Sequence, residues 1–107
     1  MYTLLNDAAN RSIRYLNGIN SRPVFPGASA INALEKLNVK LPDKGLDPAE
    51  VVRMLDEYGS PATSASTGGR YFGFVIGGSL PAPLAANWLA GAWDASWLNP
   101  CKVRWGV

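Results

Sequence analysis

Side chains able to do covalent or acid–base chemistry are sparse in this chain and poorly matched to one another. Hydroxyl nucleophiles cluster in SPATSASTGG, residues 60–69, as Ser64, Ser66 and Thr67. A hydroxyl needs a neighbouring base to take its proton, most often an imidazole, and the 107 residues contain no histidine. The one thiol, Cys101, lacks the same partner, and a lone cysteine makes neither an internal disulfide nor a metal cluster. Asp56 and Glu57 are adjacent, so on a helix they point to different parts of its surface and read as a solvated face rather than an acid/base pair. Gly68-Gly69 and Gly77-Gly78 come without a phosphate-loop lysine or a dinucleotide fingerprint, which leaves turn formation as their reading. Trp88, Trp93 and Trp97 could stack on a ligand, but helix packing is the simpler use of such side chains. From residue types and spacing alone, no enzyme can be built.

Composition bounds what the scaffold around these residues can be. One small domain fits in 107 residues, and a chain of that size buries only about two-thirds of its unfolded surface. Hydrophobic residues make up 48% and charged residues 17%, against a usual charged share of about 25%. Such a thin polar coat suits a surface meant to be covered. The net charge of +2 is scattered, with no basic stripe for a phosphate backbone, so nucleic acid is not expected as a partner. The first residues carry Asp7, Arg11 and Arg14 among their apolar positions and hold no secretory core. The uncharged run from Tyr71 to Trp93 is long enough to raise a membrane span. Its glycines, prolines and turn-like first half argue against one, and the chain is read as cytoplasmic.

The elements follow from periodicity and punctuation. Leu5, Ala9, Ile13 and Leu16 recur at helical spacing over residues 3–17, stopped near Gly18. RPVFPG, residues 22–27, is an extended proline connector. Ser29 can cap a short helix running to Leu37, followed by the polar loop NVKLPDKG. In DPAEVVRMLDEYG, residues 47–59, Asp47 is an N-cap acceptor, Pro48 takes the first helical position and Glu50 completes a capping box. Residues 60–69 read as a small-residue linker, YFGFVI as a short strand, and the last helix starts at Ser79 or Pro83 and runs to about Trp93. The fold class expected is a mainly α fragment, with three or four short helices, one strand and extended connectors. A lone strand has unpaired backbone groups and needs a partner. The chain supplies none obviously, the first hint of a larger whole.

Three stretches carry a resemblance: RPVFP after the first helix, LDPAEVVRMLDEYGSPAT, and above all GGRYFGFVIGGSLPAPLAANWLAGAWD. Together they resemble the N-terminal part of the group II pyridoxal-phosphate-dependent amino-acid decarboxylases, the family of aromatic-amino-acid, tyrosine and glutamate decarboxylases. The resemblance covers roughly residues 5–94, and residues 1–94 are taken as an N-terminal helical arm. It implies that the full-length parent is an α/β enzyme of fold type I, a homodimer whose N-terminal helices lie across the partner subunit, acting on an amino-acid substrate. It also implies that Phe74, Val75, Ile76 and Gly77 wall the substrate pocket. Two departures stand out. Pro83 occupies a position where a better helix former is usual, and residues 95–107, ASWLNPCKVRWGV, replace the expected start of the large domain. The expectation is a truncated reading, by frameshift or gene fragmentation, with a divergent tail.

Decarboxylation on pyridoxal phosphate needs a lysine to hold the aldehyde, an acid to keep the pyridine nitrogen protonated and donors for the phosphate. Lys36, Lys40 and Lys44 flank a polar loop, and Lys102 lies in the divergent tail. No catalytic or cofactor-binding residue is therefore assigned, no metal is expected, and the chain by itself is expected neither to hold the cofactor nor to decarboxylate. Self-association through the Trp88/Trp93 face is expected instead. The alternative is a small helical interaction module whose Trp-rich C-terminal helix binds a protein or a membrane surface.

Overall fold

The computed structural model describes residues 1–75 and 77–93; Ile76 and residues 94–107, which include the divergent tail with Trp97, Cys101 and Lys102, lie outside the described residues. The chain forms two units, Met1–Gly77 and Gly78–Val107. Among the described residues it is mainly helical and contains no strand.

In the first unit, α1 spans Tyr2–Asn17 and ends where expected, the Gly18 N–H closing it on the Arg14 carbonyl at 3.1 Å. Its orientation is less expected. Arg11 donates to Asp7 one turn earlier at 3.0 Å and across to Asp56 at 2.7 Å, and Arg14 lies 3.9 Å from the same carboxylate. The Tyr15 hydroxyl sits 2.9 Å from that of Thr63. Arg22 lies over the Tyr15 ring, 4.2 Å from its centroid, and donates to the Ser60 carbonyl at 2.6 Å. The side of α1 bonded to the rest of the unit is thus a polar one. Leu5 and Ile13, half of the stripe expected to face a core, are 57% and 49% exposed.

Helix α2 spans Ala28–Ala33, begins after Gly27 rather than at a Ser29 cap, and tightens into a 3₁₀ turn at Leu34–Leu37. Asn38 ends that turn, bonding the Glu35 carbonyl through its backbone N–H at 3.0 Å and the Glu35 carboxylate through its side chain at 2.9 Å. Helix α3 spans Pro48–Met54, widens into a π turn at Leu55–Gly59 and tightens to 3₁₀ at Ser60–Ala62. Pro48 holds the first position as expected, where its missing N–H is no loss. The expected capping box does not form. Only the Asp47 carbonyl takes part, accepting from Glu50 and Val51 at 2.9 and 3.1 Å. Glu50 instead accepts two bonds from Arg53, at 2.9 and 2.5 Å, and Arg53 also reaches Glu57. A bidentate charged pair outcompetes a single bond to a neutral amide.

In the second unit, α4 spans Pro81–Ala92 with Leu80 as its N-cap. This start lies between the two expected ones and resolves the conflict over Pro83. Both prolines fall in the first turn, where N–H groups have no intrahelical acceptor. Among the described residues no helix is long and apolar enough to cross a membrane.

The Glu50 carboxyl is held below the usual range, chiefly by its hydrogen bonds from Arg53. A depressed carboxyl contributes stability that is complete above the unfolded value, about 4.3, and lost as pH falls through the folded one. Helicity followed by circular dichroism should therefore hold from neutrality to about pH 5 and decline below it. Arg53→Met should remove that acid-side component.

Candidate functional site

Residues 65–77 carry the segment singled out as pocket wall, and their geometry starts from small side chains. Ala65 is 2% exposed, and its N–H donates to the Val24 carbonyl at 2.8 Å. Gly68 is buried against Ile19, whose Cγ1 would lie 3.0 Å from an added Cβ. Two further bonds close the loop on itself, Tyr71 N–H to the Gly68 carbonyl at 3.2 Å and Gly77 N–H to the Ser66 carbonyl at 3.0 Å. The Tyr71 ring stacks at a tilt on Phe25, with centroids 6.0 Å apart, and Arg70 reaches the Arg22 carbonyl. A stretch whose ends meet, here at Ser66 and Gly77, has the closed outline of an Ω-type loop, and this one is held against residues 19–25. The small-residue segment read as a free linker is, in its second half, the best-buried part of the unit.

The described part of YFGFVI, residues 71–75, holds a turn and no strand. Gly73–Val75 is a short 3₁₀-type turn broken at Phe74, whose φ 53, ψ 23 is not helical. The Tyr71 N–H before the turn and the Gly77 N–H after it bond back to the Gly68 and Ser66 carbonyls, so the stretch closes on its own loop rather than on a second strand. The turn throws the aromatic rings outward, with Phe72 91% and Phe74 90% exposed. A left-handed phenylalanine costs about 1–2 kcal/mol, and within this unit its ring gains no burial to offset that. Of the four residues expected to wall a pocket, Phe74 projects to solvent and Val75 contributes backbone to the turn. Gly77, at φ +102, ties the loop shut, and Ile76 lies outside the described residues. A Cβ at Gly77 would sit 2.7 Å from the Tyr71 carbonyl, so glycine is required there on two counts.

The remaining chemistry-bearing residues are dispersed. Lys36, Lys40 and Lys44 are exposed, Lys36 lying 5.2 Å from the Tyr58 ring centroid. Asp56 is not the merely solvated carboxylate expected, since it anchors Arg11. That guanidinium is held more firmly protonated than usual by its bonds to Asp7 and Asp56. The four-residue spacing of Asp7 and Arg11 was available in the sequence as a helix pair; the forty-five-residue reach to Asp56 had no local signal. Thr67 places a buried hydroxyl oxygen inside the loop with no hydrogen-bond partner among the described residues. Also among the described residues, no three His, Cys, Asp or Glu side chains gather as a metal-ligand set. Comparison with protein-family models, with curated proteins and with solved structures finds no match for this chain.

Two substitutions separate the loop's frame from its cargo. Gly77→Ala should destabilise the unit by about 1–3 kcal/mol, since the position is both left-handed and crowded. Phe74→Asn should leave chemical-denaturation stability within about 1 kcal/mol or raise it, asparagine tolerating that backbone better. A core phenylalanine would lose about 3–5 kcal/mol on truncation.

Proposed function

We propose that this chain is the N-terminal arm of a pyridoxal-phosphate-dependent amino-acid decarboxylase, a carboxy-lyase segment that is inactive by itself. In the parent it covers the partner subunit of a homodimer and contributes the Phe74–Gly77 loop to the wall of the substrate pocket. The observation that carries this reading is where the large apolar side chains lie. Among the described residues the only buried apolar ones are Ala65 and Ala90, while Phe72, Phe74, Trp93 and Tyr2 are each 70% exposed or more. Leaving one such side chain in water forfeits roughly 1.5–3 kcal/mol, so a surface built this way is consistent with burial against something else.

The second support is α4. Its twelve residues, PAPLAANWLAGA, hold one polar side chain, Asn87, and no charge. A helix that is apolar all round belongs in the interior of a larger body. Exposed Trp88, Leu89 and Trp93 also suit the competing reading, a helix that docks on a partner protein. Against a membrane surface, α4 lacks the Lys/Arg-rich polar face of an interfacial helix. The third support is the resemblance of residues 5–94 to the decarboxylase arm.

On this reading the cofactor is held by other segments of the parent enzyme. With no histidine in the sequence and with Lys36, Lys40 and Lys44 out in solvent, no residue set among the described residues fits pyridoxal phosphate. Purified protein mixed with the cofactor and dialysed should retain no Schiff-base absorbance and release no carbon dioxide from aromatic or acidic amino acids. Stoichiometric absorbance that survives dialysis and vanishes on substituting a single lysine would contradict the reading.

A further inference from the structure

The connector between the 3₁₀ turn at Leu34–Leu37 and α3, NVKLPDKGLD, residues 38–47, stands apart from the unit it joins. Residues 38–49 are exposed without a break. Leu41 is 88% and Val39 60% exposed, although both are apolar. Among the described residues no hydrogen bond or ion pair involves residues 40–46, and a Cβ added at Gly45 would meet nothing within 4 Å. Two lysines, Lys40 and Lys44, lie inside this stretch, and neither precedes a proline: Leu41 follows the first and Gly45 the second. The other basic side chains among the described residues sit on backbone that is already committed. Arg11 and Arg14 lie within α1, Arg53 within α3 and Lys36 in the 3₁₀ turn. Arg22 is held on the Ser60 carbonyl and the Tyr15 ring, and Arg70 on the Arg22 carbonyl. A peptide bond in such a segment reaches a protease only through local opening, whereas an exposed loop free of backbone bonds offers it directly.

What a cut there leaves behind is set by the contacts that span the loop. Arg11 on Asp56 at 2.7 Å, Tyr15 on Thr63 at 2.9 Å and the Ala65 N–H on the Val24 carbonyl at 2.8 Å each join a residue before Lys40 to one after Lys44. The stack of Phe25 on Tyr71 does the same. We propose that residues 39–46 are a processing site for a protease that hydrolyses the bond after a lysine, and that the cut chain stays assembled as two pieces. Water adds across the Lys44–Gly45 amide: the C–N bond breaks, Lys44 takes the new carboxylate and Gly45 the new ammonium. The bond between Lys40 and Leu41 is open to the same reaction. The piece bearing α1 then has no covalent link to α3, so its seat becomes a bimolecular equilibrium set by concentration. The ion pair in that junction weakens as salt rises. An arm fixed in the intact chain becomes one that is released on dilution.

The inference rests on the loop and the contacts that span it, not on the decarboxylase reading, which the cofactor test addresses separately. Brief digestion of the full chain with trypsin, which accepts lysine and arginine alike, is read by mass spectrometry. It should cut after Lys40 and Lys44 before it cuts after Arg11, Arg14, Lys36, Arg53 or Arg70. Lys40→Gln combined with Lys44→Gln should slow cleavage within residues 1–77 by about tenfold, with unchanged circular dichroism, because the remaining sites are cut only from an opened state. The two pieces should elute together from a size-exclusion column at low salt and separate in urea, and Arg11→Met should loosen the pair. First cuts inside α1 or α3 overturn the proposal. So does digestion of the double variant at the original rate, or pieces that elute apart at low salt.

Discussion

The bond from Arg11 to Asp56, 2.7 Å across from α1 to the π turn after α3, fixes which side of α1 faces the rest of the first unit. Helical residues three and four apart share a face, so turning Arg11 inward brings Tyr15 with it, and Tyr15 meets Thr63 and Arg22. The same rotation carries Leu5 and Ile13 outward. A helix has one inward side, and here a polar junction claims it. The apolar stripe that periodicity marks as a core face becomes free surface, available to another chain.

The aromatic loop obeys the same division. Its anchoring is done by small or backbone groups: Ala65 on Val24, Gly68 beside Ile19, Gly77 on Ser66. Tyr71 alone spends its ring inward, on Phe25. Phe72 and Phe74 are displayed rather than packed, one of them on a left-handed backbone. Strain of that kind persists where the surroundings over-determine a conformation, and it concentrates at sites that meet ligands or partners. The loop thus has a small-residue frame and two aromatic rings presented outward.

What could be read from the sequence was what is decided locally. The end of α1 at Gly18, Pro48 at the first position of α3 and the mainly helical character all follow from side-chain stereochemistry over a few residues. The failures were contests that local reasoning does not see. Asp47 and Glu50 have capping-box spacing, but Arg53 is a stronger partner for Glu50 than a backbone amide. Phe72, Phe74 and Val75 are good strand formers by type, but the residues on either side of them, Tyr71 and Gly77, bond back to Gly68 and Ser66 and close the stretch into a loop. Serines and glycines in 60–69 look like linker, yet their small size is what allows Ala65 and Gly68 to be buried. Of the expected pocket wall, the requirement for glycine at position 77 was visible in the Gly-Gly pair, whereas the outward throw of Phe74 depended on a turn that no residue pattern announced.

The central claim is that this polypeptide's large apolar side chains are completed by another surface. Thermal unfolding of the full chain over a hundred-fold range of concentration tests it directly. Where burial is intermolecular, the midpoint must rise with concentration, and the most dilute samples should melt over a broad range with little cooperativity. A sharp transition whose midpoint is the same at every concentration, in a species that sediments as a monomer, would contradict it.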